Sequence, residues 1–174
     1  VRDVPKSVWE DYDALLHEVV TDDGYVDYDA LEAHREPLDA VVAWYAHDRL
    51  WGRVDDRGAQ WLNAYNAFVL FAVLEEGRPA SVKDVDGWLP IDGAGFFLER
   101  SFAIDANRYT LWEIEHERIR LRRLDYRIHA ALNCASMSCP PLKAGIYTGE
   151  GLDLDLNAQM RRWVNDPERG IRVT

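Results

Sequence analysis

Apolar residues recur at helical spacing over residues 7–20, where Val8, Trp9, Tyr12, Leu15, Leu16, Val19 and Val20 share one face. Ser7 and Glu10, just after Pro5, have the spacing of a capping box. T-D-D-G then marks a turn, and Y-V-D-Y suits a short extended piece. A second helix is predicted over 29–46, irregular at Pro37. Residues 59–76, A-Q-W-L-N-A-Y-N-A-F-V-L-F-A-V-L-E-E, are apolar nearly all round, so this helix should be central and buried. Gly77 and Pro79 end it.

Residues 80–95 are rich in Gly, Asp and Pro and read as loop. F-F-L-E-R-S-F-A-I-D and R-Y-T-L, flanking a turn at Ala106-Asn107, predict a β-hairpin. Thr110 and Glu113 make a second capping box that opens a helix to about Arg122. Residues 126–133, Y-R-I-H-A-A-L-N, read as an inner strand. A last helix is expected over 150–164, with Leu152, Leu156, Met160 and Trp163 on one face, and G-I-R-V-T begins a further strand. With no repeats, low-complexity tracts or linkers, the chain reads as a single soluble α+β domain over 1–174. Its helices should pack around the central apolar helix and a small antiparallel sheet.

Composition narrows the partners. The chain of 174 residues carries a net charge of −11, which argues against nucleic acid, since phosphate binding needs a basic surface. The local exception is Arg118, Arg120, Arg122 and Arg123. Lys occurs only at 6, 83 and 143; an Asp-rich, Lys-poor surface suits high salt, and a GC-rich genome explains the Arg preference equally well. No apolar run is long enough for a membrane span of about 18 residues or more. No signal segment is legible, and a chain that opens on Val leaves the compartment open. His17, His34 and His47 read as solvated surface residues.

Three features could carry chemistry. Asn63 and Asn66 share a face of the central helix, with Gln60 a turn earlier. An unpaired buried amide costs roughly 1–3 kcal/mol, so these groups must either pin a loop or brace a site. The second feature is E-I-E-H at 113–116. A helical wheel puts Leu111, Ile114, Ile119 and Leu121 on one face, with Glu115 inside that apolar arc and His116 at its edge. Glu115 could pair with Arg118 at i+3, or orient His116 as a general base.

The third is R-I-H-A-A-L-N-C-A-S-M-S-C-P-P-L, which carries His129 and then Asn133, Cys134, Ser138 and Cys139. Four uses compete for the two cysteines. One is a nucleophile served by His116 or His129. A redox pair or plain disulfide is sterically open. C-x4-C is loose for zinc, so no structural metal and no cofactor are expected. The last use is as buried, inert residues.

The segments W-L-N-A-Y-N-A-F-V-L, L-W-E-I-E-H-E-R-I-R and R-I-H-A-A-L-N-C-A-S-M-S-C-P-P-L, with the later I-Y-T-G-E-G-L-D-L-D-L, resemble the domain of unknown function 547 family. The resemblance covers about 55–165 and implies a family-like core preceded by a helical extension, 1–54. Asn63, Tyr65 and Asn66 match its first motif; Glu115, His116 and Arg120 its second; His129, Asn133, Cys134, Ser138, Cys139 and Pro140 its third. Arg118 stands where an apolar residue is expected. Ala135 stands where Gly is usual, which argues against a left-handed backbone there. With the His ahead of the Cys, a papain-like or transglutaminase-like fold in permuted order follows by analogy.

Two functions result. The first is a thiol-dependent hydrolase or acyl transferase acting on an amide or thioester. Cys134 (or Cys139) is the nucleophile, His116 or His129 the base, Glu115 its orienter. Asn63, Asn66, Asn133, Ser138 and Arg120 serve the oxyanion or brace the site. The other is a non-catalytic binding domain for a small molecule or peptide, in which the same residues form a structural network.

Overall fold

The computed structural model describes residues 6–170. The strand expected from G-I-R-V-T falls on residues 171–174, and the capping box needs the Ser7 side chain; both lie outside what is described. Helix α1, Lys6–Val19, buries Tyr12, Leu15, Leu16 and Val19 as its spacing requires. The turn after it closes through Gly24, whose N–H donates to the Thr21 carbonyl at 2.8 Å. At φ +76° and against Pro141, Gly24 has no room for a side chain, and its carbonyl accepts from Leu142 N at 3.1 Å. Y-V-D-Y supplies one bridge, Val20 to Val26.

The second predicted helix is two: α2, Tyr28–Ala33, and α3, Glu36–His47. Pro37 sits in the first turn of α3, where its missing N–H is no loss. Helix α4, Val54–Glu75, begins five residues before its apolar run because Asp56 accepts from the Arg53 N–H at 2.8 Å and caps it. Phe68 of α4 links Tyr45 of α3, edge-on at 5.5 Å, to Phe102, stacked at 4.4 Å. Buried residues from α1 to the last helix form one continuous core.

The hairpin is shorter than its apolar pattern. Strands β1, Ser101–Ile104, and β2, Asn107–Thr110, pair antiparallel and are the only sheet among the described residues. Asp105 and Ala106, both at positive φ, form the turn, one residue earlier than expected. Gly95–Glu99 is a π-helical turn instead of strand. There Glu99 accepts the N–H groups of Trp88 and Leu89 and fastens the preceding loop.

The Thr110–Glu113 capping box opens one turn, α5, Leu111–Glu113. It runs on as a π-helix, Ile114–Arg120, in which Leu121 N–H reaches the His116 carbonyl at 3.0 Å. This departs from the expected α-helix, and Leu121, placed by the wheel on the buried face, is 71 % exposed. The expected inner strand is a 3₁₀ helix, Tyr126–Ala131, started by Asp125, whose carboxylate accepts Arg127 N–H at 3.0 Å. A short apolar run does not distinguish the two structures by periodicity, and the cap decides. Helix α6, Leu152–Val164, packs against that segment, burying Leu152 and Leu156 and half-burying Met160 and Trp163. No helix among the described residues is long and apolar enough to cross a membrane.

Candidate functional site

Asn63 and Asn66 are clamps. Asn63 donates to the Tyr147 carbonyl and accepts from the Tyr147 N–H, both at 2.8 Å. Asn66 donates to the Ala131 carbonyl and accepts from the Asn133 N–H, both at 3.0 Å. Each amide copies the edge of a peptide group and satisfies a backbone that has no strand or helix to pair with. Asn133 continues the chain of clamps, accepting from Ala135 N–H and donating to the Pro140 carbonyl, both at 2.9 Å. Ala135 is held at φ +57°, against the expectation that Ala disfavours this conformation. The Asn133 bond and the Cys139 N–H to Ser136 carbonyl bond close the loop on either side of it, outweighing a cost of about 1–2 kcal/mol.

Within this loop Cys134 and Cys139 form a disulfide, with Cα atoms 6.1 Å apart. In this state neither sulfur is a free nucleophile. Cys139 is buried and Cys134 half-buried.

The disulfide forms one wall of a cavity of about 240 Å³. Ser138, Pro140 and Leu132 continue that wall; Tyr65, Glu115, Arg120 and His129 face it. These four are wired together. Arg120 Nε and Nη2 donate to Glu115 Oε1 at 2.9 and 2.8 Å. Arg120 Nη2 also meets His129 Nδ1 at 2.9 Å, and Tyr65 donates to Glu115 Oε2 at 3.3 Å. A guanidinium has no lone pair, so Nδ1 is the acceptor and the neutral ring carries its proton on Nε2. The His129 ring lies 4.9 Å from Trp163. Burial pushes the Tyr65 phenol well above its ordinary range, and the Glu115 carboxylate adds to this, so Tyr65 stays a donor.

The π-helix explains why the wheel chose the wrong partner. Bonds from i to i+5 bring residues five apart into line, so Glu115 meets Arg120. Arg118, the i+3 candidate, instead lies 4.6 Å over the Tyr109 ring.

Of the candidate residues, Glu115, Arg120, His129, Cys134, Ser138 and Cys139 share the cavity. Asn66 and Asn133 hold its loop from behind, and Asn63 clamps a different segment. His116 is not among the lining residues. Its ring stacks 4.6 Å from Trp112 and its Nδ1 lies 3.0 Å from the Trp112 carbonyl, so it does not serve Glu115 or the sulfurs. Tyr65, which the sequence offers only as part of the first family motif, lines the cavity, and Trp163 packs against His129 without lining it. Tyr65 lies between the two asparagines in N-A-Y-N, which was the available signal; Trp163 reads only as a core position of α6. Among the described residues no group of three or more His, Cys, Asp or Glu side chains is placed to hold a metal ion.

Residues 52–164 match the model of the family described as "Protein of unknown function, DUF547", and the chain belongs to that family. No curated protein and no solved structure matches the chain.

Proposed function

We propose that the domain binds a small neutral acyl group, the carbonyl of an amide or thioester, in the cavity between the disulfide and the Glu115–Arg120–His129 array. The array carries the proposal. Glu115 compensates the charge of Arg120 across a paired contact, so the pocket is not an anion trap. With Nδ1 occupied by Arg120, His129 can offer only its Nε2–H, a donor for a carbonyl oxygen. Leu132, Pro140 and the sulfurs supply an apolar lining for the rest of the group. A cavity of about 240 Å³ is small and suits a side chain or short acyl unit better than a large ligand. The test is calorimetric titration of oxidised protein with acetamide, an acetyl thioester and acetate. The neutral carbonyl compounds should bind, acetate more weakly, and His129→Phe should abolish the binding. Equal binding by wild type and His129→Phe, or tighter binding of acetate, overturns the reading.

One observation favours thiol-dependent hydrolysis or acyl transfer as a second reading. Cys134 is the more exposed of the two cysteines and lines the same cavity, so reduction of the disulfide by an added dithiol yields a thiol beside the proposed carbonyl site. The thiol proton would pass to solvent, the thiolate would attack the carbonyl carbon, the amine or thiol would leave with a proton taken from solvent, and water would hydrolyse the acyl-cysteine to a carboxylic acid and the free thiol. His129 then donates to oxyanion or leaving group and is not the base that abstracts the thiol proton. Reduced protein incubated with an acetyl thioester should gain an acetyl group on Cys134 by intact-mass and peptide analysis. Unmodified Cys134, together with carbonyl binding by the oxidised form, leaves the binding domain as the function.

A further inference from the structure

A second cavity, of about 340 Å³, lies on the other side of the Ile114–Arg120 helix. Neighbouring residues divide between the two: Glu115 and Arg120 line the first, Arg118 and Ile119 the second. Four arginines line this second cavity, Arg57, Arg118, Arg122 and Arg123, in a chain whose net charge is −11. Arg123 is compensated by Asp55 at 2.6 Å and Asp125 at 3.6 Å. Arg57 donates to the Gly52 carbonyl at 3.0 Å, and that acceptor carries no charge. Among the described residues, Arg57, Arg118 and Arg122 have no carboxylate partner. Moreover, the Arg118 Nε is buried without any hydrogen-bond acceptor. Arg118 lies 4.6 Å over the Tyr109 ring, a contact that brings no counter-ion, and a guanidinium lining a cavity without one is suited to pairing with a bound anion.

The floor has the opposite character. Leu62, Ile119, Ile128 and Leu152 are buried beneath the arginines, Trp61 is half-buried, and Val54 stands exposed at the rim. A free inorganic anion would satisfy the arginines and leave the apolar surface of Trp61 and Val54 in water. An apolar molecule would cover the floor and leave the guanidinium groups unpaired.

We infer that this cavity binds an organic anion with an apolar body, its carboxylate or phosphate head held by Arg118 and Arg122 and its hydrocarbon or aromatic part on the Trp61–Leu152 floor. This inference is independent of the acyl site and stands if that site binds nothing.

The probes are octanoate, octyl phosphate and octanol, titrated into the full chain by calorimetry. Arg118→Gln and Arg122→Gln keep a polar side chain of similar reach; Arg122 is exposed, so its variant keeps the fold. At least one octyl anion should bind, and which one binds tighter identifies the head group. Octanol should bind at least about tenfold more weakly, the scale of one lost charge-assisted contact. Each variant should weaken the anion about tenfold and leave octanol unchanged. Raising salt should weaken the anion as well. Octanol binding as tightly as the anions, no binding by either anion, or anion affinity untouched by both variants overturns the inference.

Discussion

The helices before residue 48 and the stretch from residue 114 to 151 are held together in different ways. In the first, regular helices meet through side chains: Trp9, Trp44 and Tyr45 contact one another edge-on at 5.1–5.7 Å, and Leu31, Leu38 and Val41 are fully buried. Backbone polar groups there are satisfied within the helices, so packing is free to be apolar. In the second, the backbone is π-helix, 3₁₀ helix and loop, and it is fastened by polar side chains reaching across the chain. Asn66 alone ties α4 to residues 65 and 67 positions away. Irregular backbone places Glu115, Arg120, His129 and the two sulfurs around one cavity, a set that no single regular element would deliver. The clamps are what that placement requires.

The largest test of this difference compares Asn66→Ala with Leu38→Ala. Asn66→Ala strands two buried backbone groups and should destabilise by roughly 3–4 kcal/mol. Leu38→Ala leaves a cavity in a fully buried site and should destabilise by about 3 kcal/mol. The totals are close, but the distribution should not be. Native-state hydrogen exchange should show Asn66→Ala releasing the amides of Asn133 and Ala135 well before global unfolding. Leu38→Ala should lower protection evenly across the core. If both variants give the same even pattern, the two regions are held alike and the contrast fails.

Legibility in the sequence follows the same division. The long helix α4 was plain because its apolar run has few alternatives, and the Thr110–Glu113 box was plain because capping is local. Glu115–Arg120 was not, since a 3.6-residue wheel cannot anticipate bonds five residues apart. His116 looked poised for catalysis only on that wheel. Residues 126–131 are apolar enough for either strand or helix, and the decision rests on Asp125 just outside the run. Asn66, Glu115, His116, His129 and Cys134 are legible as polar residues on apolar elements, but their roles are not, and His116 stays against Trp112 away from the others. One is a clamp, two belong to a charge-compensated array, and Cys134 is in a disulfide.

The disulfide is a further fastening of the second region, and its share can be separated from that of the clamps. Closing a loop with a sequence separation of 5 stabilises by roughly 2 kcal/mol on chain-entropy grounds. The double variant Cys134→Ser, Cys139→Ser should therefore lose about that amount in urea unfolding. Its Asn133 and Ala135 amides should stay protected, because the Asn66 and Asn133 bonds do not depend on the sulfurs. Loss of that protection in the double variant would mean the disulfide, and not the asparagine clamp, holds the cavity loop.

The smallest effect compares two helix starts. Asp27 caps α2 through the N–H groups of Asp29 and Ala30. Asp125 caps the 3₁₀ segment and in addition grips the Arg127 side chain, at 3.0 Å to Nε and 2.7 Å to Nη2. Asn caps about as well as Asp, so Asp27→Asn should cost only a few tenths of a kcal/mol. Asp125→Asn also loses the ion pair and should cost about 1 kcal/mol at neutral pH. The hydrogen bonds from Arg127 hold the Asp125 carboxyl below the usual carboxylate range. A folded-state pKa below the unfolded value makes the contribution complete above about pH 4, and it is lost as pH falls through the folded value. Wild type and Asp125→Asn should therefore differ at neutral pH and converge in acid, as read from urea midpoints across that range. A difference that stays constant into strong acid would show that Asp125 acts through its cap alone, as Asp27 does, and would remove the distinction between the two ends.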